Sequence, residues 1–352
     1  MSLKRALLAR IVQTGPMTLA DYMADCLTHP SLGYYTTRDP LGAKGDFTTA
    51  PEISQMFGEL IGLALAQAWL DQGAPAPFTL AELGPGRGTL MADILRATRR
   101  VPGFHAGMRL HLVEASEPLR EKQRAALAGL GLTHHADVAT LPDAPLFLVA
   151  NEFFDALPIR QFVRTAGGWR ERLVGAEAGA LVFGLGGPAQ PEPLAHRGEV
   201  AEGRLVEICP ALAPIMAEIA ARIARHGGAA LVIDYGDWRS LGDTLQAVRG
   251  HTPQDPLAQP GEADLTAHVD FEALVRAAPG LAASAMTPQG VFLERLGIVQ
   301  RAQTLATRLT GPALAAHIAA HRRLTHGSEM GTLFKVIAVV QKGAPMLPGL
   351  EP

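Results

Sequence analysis

Glycines between a strand-like and a helix-like segment are the strongest chemical signal in this chain of 352 residues. Residues 81–95 read AELGPGRGTLMADIL, with Gly84, Gly86 and Gly88 following an apolar run. Glycine adopts left-handed backbone conformations easily and lets a ligand approach the main chain closely. The pattern predicts a strand, a turn and a helix beginning near Thr89, with a nucleotide-like cofactor at the turn. A tight connection that binds no ligand is the alternative.

Acidic residues after the next two predicted strands support a cofactor at this turn. Glu114 closes the run LHLVE, and Asp137 follows another short strand in HHADV. A carboxylate at the first of these positions can accept both ribose hydroxyls of an adenosine. A solvent-exposed carboxylate at a strand end is the alternative. Asp137 is a candidate partner of the adenine amino group.

The residues within the turn favour S-adenosylmethionine as the cofactor. Residues 42–49, GAKGDFTT, lack the glycine spacing of a phosphate-binding loop, which argues against ATP or GTP. NAD stays an alternative, but a dinucleotide fold usually holds its pyrophosphate at a GxGxxG turn, and Pro85 and Arg87 occupy this one. S-adenosylmethionine has no phosphate and fits this turn better.

A polar loop follows the apolar run LFLVA. Residues 151–158, NEFFDALP, place Asn151, Glu152 and Asp155 directly after a predicted strand. Open α/β sheets bind ligands at the carboxyl ends of their strands. We therefore expect these three polar side chains at the cofactor site.

A second polar loop precedes a predicted helix over residues 52–70. The loop, GDFTTAPE at 45–52, contains Asp46, Thr48 and Glu52. These side chains can donate or accept hydrogen bonds at the site. The same spacing predicts a capping box, in which Thr48 or Thr49 caps the helix and Glu52 reaches back.

Composition excludes several other functions. The net charge of -3 gives no electrostatic attraction to nucleic acid, and Cys26 and Cys209 form no paired zinc-binding motif. The motif HIAAH at 317–321 lacks the glutamate of a zinc-binding HExxH sequence, so no metal is predicted. The longest apolar stretches are too short to span a membrane, and no partner nucleic acid is expected.

Eight segments of the chain resemble the MidA-like S-adenosylmethionine-dependent methyltransferases, the family that includes the mitochondrial complex I assembly-factor methyltransferase. The matching segments are HPSLGYY at 29–35, GDFTTAPEISQMFGELIG at 45–62, ELGPGRGTLMADILR at 82–96, ANEFFDALP at 150–158, IDYG at 233–236, ADLTAHVDF at 263–271, TPQGVFLERLGI at 287–298 and MGTLFKV at 330–336. GDFTTAPEISQ and NEFFDALP are far more specific than a glycine turn.

The resemblance implies a fold as well as an activity. Strand-like runs alternate with helical segments from residue 78 onwards, which predicts an α/β fold with a mostly parallel sheet. With the resemblance, this becomes a class I (Rossmann-like) methyltransferase with a helical N-terminal section and insertions. The predicted parts are a helical section at 1–75 that contributes to the cofactor pocket, a core at 76–156, 205–289 and 330–345, a β-rich insertion at 157–204, and a helical insertion at 290–329. Within the core, residues 240–267 are predicted to be a surface excursion because they are rich in Gly, Pro, Asp and Gln.

The expected activity is methylation of an arginine in a protein substrate, which the resemblance implies is a complex I subunit. A guanidinium is protonated in water, so such an acceptor needs carboxylates that orient it and receive its proton. The candidate catalytic residues are Asp46, Glu152 and Asp155. The predicted cofactor contacts are Gly84, Pro85, Gly86, Gly88, Glu114, Asp137, Asn151, Thr48 and Glu52. A small-molecule O- or N-methyltransferase and a non-catalytic assembly factor are the alternatives.

The sequence also predicts the cellular location of the protein and leaves its oligomeric state open. The N-terminus lacks a convincing organellar presequence, so we expect a bacterial cytoplasmic protein. A mitochondrial matrix location applies only if a presequence has been removed. A homodimer is an open alternative to a monomer.

Overall fold

A computed structural model describes residues 2–37 and 48–352 of the chain. The helices are α1 (Leu3–Thr14), α2 (Leu19–Thr28), α3 (Tyr34–Thr37), α4 (Ala50–Ile53), α5 (Gln55–Asp71), α6 (Thr89–Thr98), α7 (Phe104–Gly107), α8 (Glu117–Ala126), α9 (Leu212–His226), α10 (Phe271–Arg276), α11 (Gln289–Arg295), α12 (Ile298–Ala306), α13 (Gly311–Thr325) and α14 (Met330–Leu333). The strands are β1 (Met17–Thr18), β2 (Phe78–Leu83), β3 (Met108–Val113), β4 (Thr133–His135), β5 (Leu146–Asn151), β6 (Arg160–Thr165), β7 (Gly168–Glu177), β8 (Ala180–Ala189), β9 (Leu205–Ile208), β10 (Gly228–Asp237), β11 (Gln246–Arg249), β12 (Thr252–Gln254), β13 (Asp264–Thr266), β14 (Val269–Asp270), β15 (Leu281–Ala283), β16 (Thr287–Pro288) and β17 (Phe334–Gln341).

The described residues form two compact units, each built from separate stretches of the chain. Unit 1 contains residues 2–37, 155–212 and 239–270, and unit 2 contains residues 48–154, 213–238 and 271–352. The predicted division into a core with two insertions stays a prediction.

Unit 2 is an α/β unit around a mixed sheet with the strand order β15-β17-β10-β5-β2-β3-β4. The pairings from β10 through β5, β2 and β3 to β4 are parallel, whereas β17 runs antiparallel to β10, and β15 and β16 run antiparallel to β17. All side chains of β2 and β5 are buried. This is typical of strands covered on both faces, and it explains why they read as continuous apolar runs.

Helices α5 and α6 of unit 2 pack at unusually close range. A Cβ atom added to Gly62 of α5 would lie 2.8 Å from Cα of Ile94, and one added to Gly58 would lie 2.6 Å from Cβ of Asp93. Two glycines one helical turn apart therefore let the backbones approach. Because α6 begins directly after the glycine turn, this contact holds the turn against the rest of the unit.

The helix predicted over 52–70 is divided in the structure. The helix α4 ends at Ile53, and Ser54 then caps α5, where its side chain accepts a hydrogen bond from the N–H of Met56 at 3.3 Å. The predicted capping box is wrong. Thr49 precedes α4 but its side chain makes no cap hydrogen bond, and the Glu52 carboxylate accepts instead from the hydroxyl of Thr89 at 2.5 Å.

Unit 1 contains two antiparallel sheets and the first helices. One sheet has the order β1-β7-β6-β9 with β8 beside β7, and the other has the order β12-β11-β13. The second sheet corrects the predicted surface excursion at 240–267. Ala247 and Leu265 of its strands pack in one hydrophobic cluster with Tyr22 and Met23 of α2. Short strands in Gly- and Pro-rich sequence thus contribute to a core.

The described residues contain neither a candidate membrane-spanning helix nor a candidate metal centre. No helix within residues 2–37 and 48–352 has the length and apolar character needed to cross a bilayer. The same residues contain no group of three or more His, Cys, Asp or Glu side chains that could hold a metal ion.

Candidate functional site

The candidate site in unit 2 lies along the carboxyl ends of the parallel strands. Leu83, at the end of β2, pairs with Val113 of β3 on one side and Ala150 of β5 on the other. Ile233 of β10 pairs with Asn151. This register aligns the ends of β2, β3 and β5, and it sets the end of β5 beside Ile233 of β10, which continues to Asp237. The polar residues that follow each strand therefore lie along one edge of the sheet, as predicted from their positions in the sequence.

The glycine turn has the backbone conformation that its sequence predicts. Gly84, Gly86 and Gly88 have φ values of 60°, 53° and 83°, in the left-handed region that other residues adopt at a cost. A Cβ atom at Gly84 would also lie 2.8 Å from Cδ2 of Phe153. The N–H of Gly88 donates to the carbonyl of Pro85 at 2.7 Å and closes the turn. Helix α6 begins immediately afterwards, at Thr89.

Glu82 is a site residue that the sequence reasoning missed. Its side chain is 3% exposed, and one carboxylate oxygen accepts a hydrogen bond from the N–H of Met91 in α6. The other oxygen, Oε2, has no hydrogen-bond partner among the described residues. Burial, and secondarily the nearby charge of Glu114, raises the pKa of Glu82 to about 8. The signal available in the sequence was a carboxylate within an otherwise apolar strand, directly before the glycines.

Glu114 follows β3 as predicted, and two hydrogen bonds hold its side-chain carboxylate. Its Oε1 accepts from the N–H of Ser116 at 2.8 Å, and its Oε2 accepts from Nε2 of Gln123 at 3.3 Å. Burial raises the pKa of the carboxyl, while these two donors act in the opposite direction. A carboxylate fixed by donors on one side can accept ribose hydroxyls on another.

Asn151 and Glu152 follow β5. Glu152 has a φ of 51°, an uncommon conformation for a residue with a side chain. Its Oε1 accepts from the N–H of Ala50 at 2.9 Å and from Nδ2 of Asn151 at 3.0 Å. Oδ1 of Asn151 is buried and has no hydrogen-bond partner within the described part of the chain. Backbone strain of this kind is found preferentially at functional sites.

Asp234, in β10 beside the end of β5, is a second residue that the sequence reasoning did not select. It is completely buried, and its two carboxylate oxygens accept from the N–H groups of Phe154 at 3.0 Å and Tyr235 at 2.9 Å. It therefore fixes Phe154, three residues after the end of β5, from the neighbouring strand. The segment IDYG, which carries Asp234, contributed to the family resemblance, and that was the available signal.

Thr48, just before α4, and Glu52, within α4, also belong to unit 2. Thr48 is partly buried and comes two residues before α4. Glu52 binds the hydroxyl of Thr89, the first residue of α6. This contact connects α4 to the first residue of α6, directly after the glycine turn.

Asp137 lies after β4 as predicted, at the N-terminus of a short 3-10 turn. Its Oδ1 accepts from the N–H of Ala139 at 2.8 Å, and the residue is exposed. Arg222 of α9 donates to the carbonyls of Ala139 and Leu141 and so anchors this turn. The predicted contact of Asp137 with adenine stays a prediction.

Asp46 and Asp155 are the remaining predicted catalytic residues. Asp46 lies outside the described residues. Asp155 is buried in unit 1, where its carbonyl accepts from the N–H of Ala267 at 3.0 Å. The hydroxyl of Tyr35 donates to Asp264 at 2.8 Å, and burial, together with the charges of Asp264 and Asp155, raises the pKa of Tyr35. The structure thus groups Asp155 with Tyr35 and Asp264.

The residues of unit 2 fit an adenosyl cofactor that carries positive charge. The three left-handed glycines form a tight turn directly after β2, at the carboxyl edge of the sheet. Glu82 Oε2 and Asn151 Oδ1 are buried acceptors that no described protein group satisfies. Such groups are costly unless a ligand or water supplies a donor.

Comparison with known proteins identifies the family. A family model described as "Putative S-adenosyl-L-methionine-dependent methyltransferase" matches residues 60–289. The chain is 39% identical to the protein arginine methyltransferase NDUFAF7, mitochondrial, of Mus musculus, over 96% of this chain and 84% of that protein. Identity to the Homo sapiens protein of the same name is 38%, over 96% of this chain and 82% of that protein.

A solved structure is similar along the same length. It is a protein from Burkholderia thailandensis crystallised with bound S-adenosyl-homocysteine, 30% identical, with a TM-score of 0.83 over 99% of this chain and 93% of that one. The glycine turn and the aligned strand ends are consistent with these similarities to methyltransferases. The chain belongs to the S-adenosylmethionine-dependent methyltransferases, and S-adenosylmethionine is its cofactor.

Proposed function

We propose that this chain methylates an arginine side chain of a protein substrate that resembles a complex I subunit. The observation that carries the proposal is the similarity along 96% of this chain to relatives named protein arginine methyltransferases. A shared fold alone would say little about the acceptor, because one fold hosts many reactions. Similarity that includes both units is a better guide to the acceptor.

The proposed cofactor site is the one that the sequence predicts, within a class I methyltransferase core. The glycine turn holds the methionine and ribose side, Glu114 accepts the ribose hydroxyls, and Asp137 accepts from the adenine amino group. The remaining proposed contacts are Pro85, Asn151, Thr48 and Glu52. Glu82 joins them, because its buried Oε2 lacks a protein donor within the described residues. Burial raises the pKa of Glu82 to about 8, and a cationic ligand beside Oε2 would favour its ionised form.

The proposed acceptor chemistry follows from the charge of arginine. A guanidinium has a pKa above about 12, so it approaches as a cation and must lose a proton for its nitrogen to attack carbon. S-adenosylmethionine supplies the methyl group and leaves as S-adenosylhomocysteine when the nitrogen–carbon bond forms and the sulfur–carbon bond breaks. Without fixed negative charge nearby, the cationic acceptor would be repelled by the sulfonium.

We assign the proton-accepting role to Glu152. Its backbone is strained, and its neighbours are Asn151 and the fully buried Asp234 in the adjoining strand β10. The N–H of Ala50 and Nδ2 of Asn151 hold one oxygen of Glu152 and thereby orient the other. A carboxylate in this position can orient a guanidinium and accept its proton. The roles of Asp46 and Asp155 stay predictions.

The cellular location and the oligomeric state are also part of the proposal. The relatives are named mitochondrial, whereas the sequence predicts a bacterial cytoplasmic protein, and this location stays a prediction. The homodimer likewise stays untested.

Incubation of the purified chain with methyl-labelled S-adenosylmethionine and cell lysate tests the proposal. We expect label in protein, and mass spectrometry should place it on arginine. The Glu152→Gln variant keeps the shape of the side chain but removes its charge. It should bind S-adenosylhomocysteine normally and transfer label about 10² to 10⁴ times more slowly, the range for a positioned acid or base.

Each alternative gives a different result. Label confined to small molecules would indicate a small-molecule methyltransferase. Binding of S-adenosylhomocysteine without any transfer would indicate a non-catalytic assembly factor. Label on lysine alone would refute the arginine acceptor, and full activity of Glu152→Gln would remove Glu152 from the reaction.

A further inference from the structure

The helix α8 has a mostly polar sequence and buries two of its residues, Leu119 and Gln123. Its sequence is EPLREKQRAA, and Gln123 within it is completely buried. Glutamine is seldom fully buried unless its amide is satisfied by partners. The amide of Gln123 should therefore have hydrogen-bond partners in the folded protein.

The amide of Gln123 connects both sides of the proposed cofactor site. Nε2 donates to the carbonyl of Gly86 at 2.7 Å and to Oε2 of Glu114 at 3.3 Å. The first contact holds the glycine turn, and the second holds the carboxylate assigned to the ribose. A Cβ atom at Gly88 would lie 3.6 Å from Cα of Gln123, which places α8 directly against the turn.

The orientation of this amide is determined by its partners. Nε2 faces a carbonyl oxygen and a carboxylate oxygen, which only accept hydrogen bonds when the carboxyl is ionised. The flipped amide would bring Oε1 against both oxygens. Oε1 instead lies 2.8 Å from Nε2 of His134. His134 therefore carries a hydrogen on Nε2, and both its neutral Nε2–H form and its protonated form satisfy this requirement.

We propose that Gln123 is a positioning residue for cofactor binding, which holds the Glu114 carboxylate and the Gly86 carbonyl in register, with its amide oriented by His134. The inference rests on the proposed role of Glu114 at the ribose. Gln123 does not need to touch the cofactor. It acts by keeping Glu114 ionised and by fixing the distance between the turn and that carboxylate.

Binding of S-adenosylhomocysteine, measured by calorimetry between pH 5 and pH 8, tests the proposal. Gln123→Met keeps a side chain of similar length but removes both donors. We expect about tenfold weaker binding at pH 7, the loss that one or two hydrogen bonds represent. Without the amide donor, Glu114 should keep its proton to higher pH. The decline of affinity on the acid side should therefore begin at a higher pH than in the unaltered protein.

The other charged groups near Glu114 are the same in Gln123→Met and in the unaltered protein. Glu82 and Arg120 interact electrostatically with Glu114, and His134 lies behind Gln123. All three are retained in Gln123→Met, so their titration does not explain a difference between the two profiles. A variant that merely loosened the fold would bind less well without moving the acid-side decline.

Gln289→Met is the matched control. Gln289 of α11 is also completely buried, and its Nε2 donates to the carbonyl of Leu324 at 2.9 Å. Its replacement should lower the unfolding temperature and leave the affinity for S-adenosylhomocysteine and its pH profile unchanged.

Glu114→Gln and the double variant separate this proposal from the cofactor assignment. If Gln123 acts through Glu114, adding Gln123→Met to Glu114→Gln should cause only a small further loss of affinity for S-adenosylhomocysteine. Weaker binding by Glu114→Gln, together with normal binding and an unmoved profile in Gln123→Met, would overturn the positioning role and leave Glu114 at the ribose. Normal binding by Glu114→Gln would overturn both.

Should Gln123→Met fail to fold, His134→Leu provides the test. It removes the donor to Oε1 of Gln123 without altering the buried helix position. We expect a smaller loss of affinity in the same direction. Unchanged affinity in a folded His134→Leu protein would contradict the orienting role of His134 and, with it, the proposal.

Discussion

Replacing Glu82 with glutamine should make the cofactor-free protein more stable at neutral pH. The folded protein holds the Glu82 proton more tightly than the unfolded chain, because its pKa is about 8 instead of 4.5. Burial is the main cause, and the charge of Glu114 adds to it, while the N–H of Met91 opposes both. In the variant, the glutamine oxygen can still accept from Met91. Its amide group takes the place of the protonated oxygen, and no charge develops.

The magnitude follows from the difference between the two pKa values. As pH rises from about 4.5 to about 8, the unfolded chain loses this proton before the folded protein does. Stability therefore falls by up to about 1.4 kcal/mol per pH unit across that window and levels off above it. At pH 7 the summed cost is about 3 kcal/mol. Glu82→Gln should recover up to that amount at pH 7 and nothing near pH 4.

Urea unfolding of the two proteins at pH 5, 6, 7 and 8, followed by circular dichroism, measures this difference. Other titrating groups are common to both proteins and largely cancel. Glu121→Gln is the control, because Glu121 is exposed on α8 and its replacement should change stability by less than about 0.5 kcal/mol. A stability difference that is independent of pH, or one that increasingly favours the unaltered protein as pH rises, would refute the reasoning.

Three further outcomes are expected. Gly86→Val should remain folded but lose S-adenosylhomocysteine binding in calorimetry, because a branched side chain opposes the φ of 53° at this turn. Normal affinity would mean that the turn only connects β2 to α6 and does not bind the cofactor. Glu152→Gln should retain cofactor affinity while methyl transfer, measured with labelled cofactor, falls by about 10² or more; a parallel loss of affinity would instead make Glu152 a binding residue. Gly62→Ala should lower the free energy of unfolding in urea by about 1 to 3 kcal/mol, because its Cβ would lie 2.8 Å from Cα of Ile94; an unchanged urea midpoint would show that α5 and α6 separate easily.

Local sequence patterns predicted the elements that carry the site. The strands of unit 2 are apolar runs bounded by glycine or polar residues, and the turn at Gly84, Gly86 and Gly88 needs a backbone that glycine adopts most easily. Glu114 and Asp137 could be placed because parallel strands end at one edge of the sheet. These inferences depend on residues close together in the chain.

The contacts that the sequence did not predict are those between distant residues. Glu52 has the spacing of a capping box, but the hydroxyl of Thr89 is the partner it finds in the folded protein. Gln123 belongs to a helix with a polar sequence, and its burial depends on where α8 packs. The small sheet within 240–267 was missed because its short strands lie among turn-forming residues.

The interleaved order of the two units has a consequence for nonsense mutations. A stop codon after residue 270 would leave every proposed cofactor contact in the translated product. It would nevertheless delete β17, whose residues Phe334–Val340 pair with Ala229–Tyr235 of β10. The strand that carries Asp234 would then be left with an uncovered edge, and many apolar side chains of the unit 2 core would be missing. Truncations of this region would therefore act through loss of the folded unit 2 rather than through loss of any proposed cofactor contact.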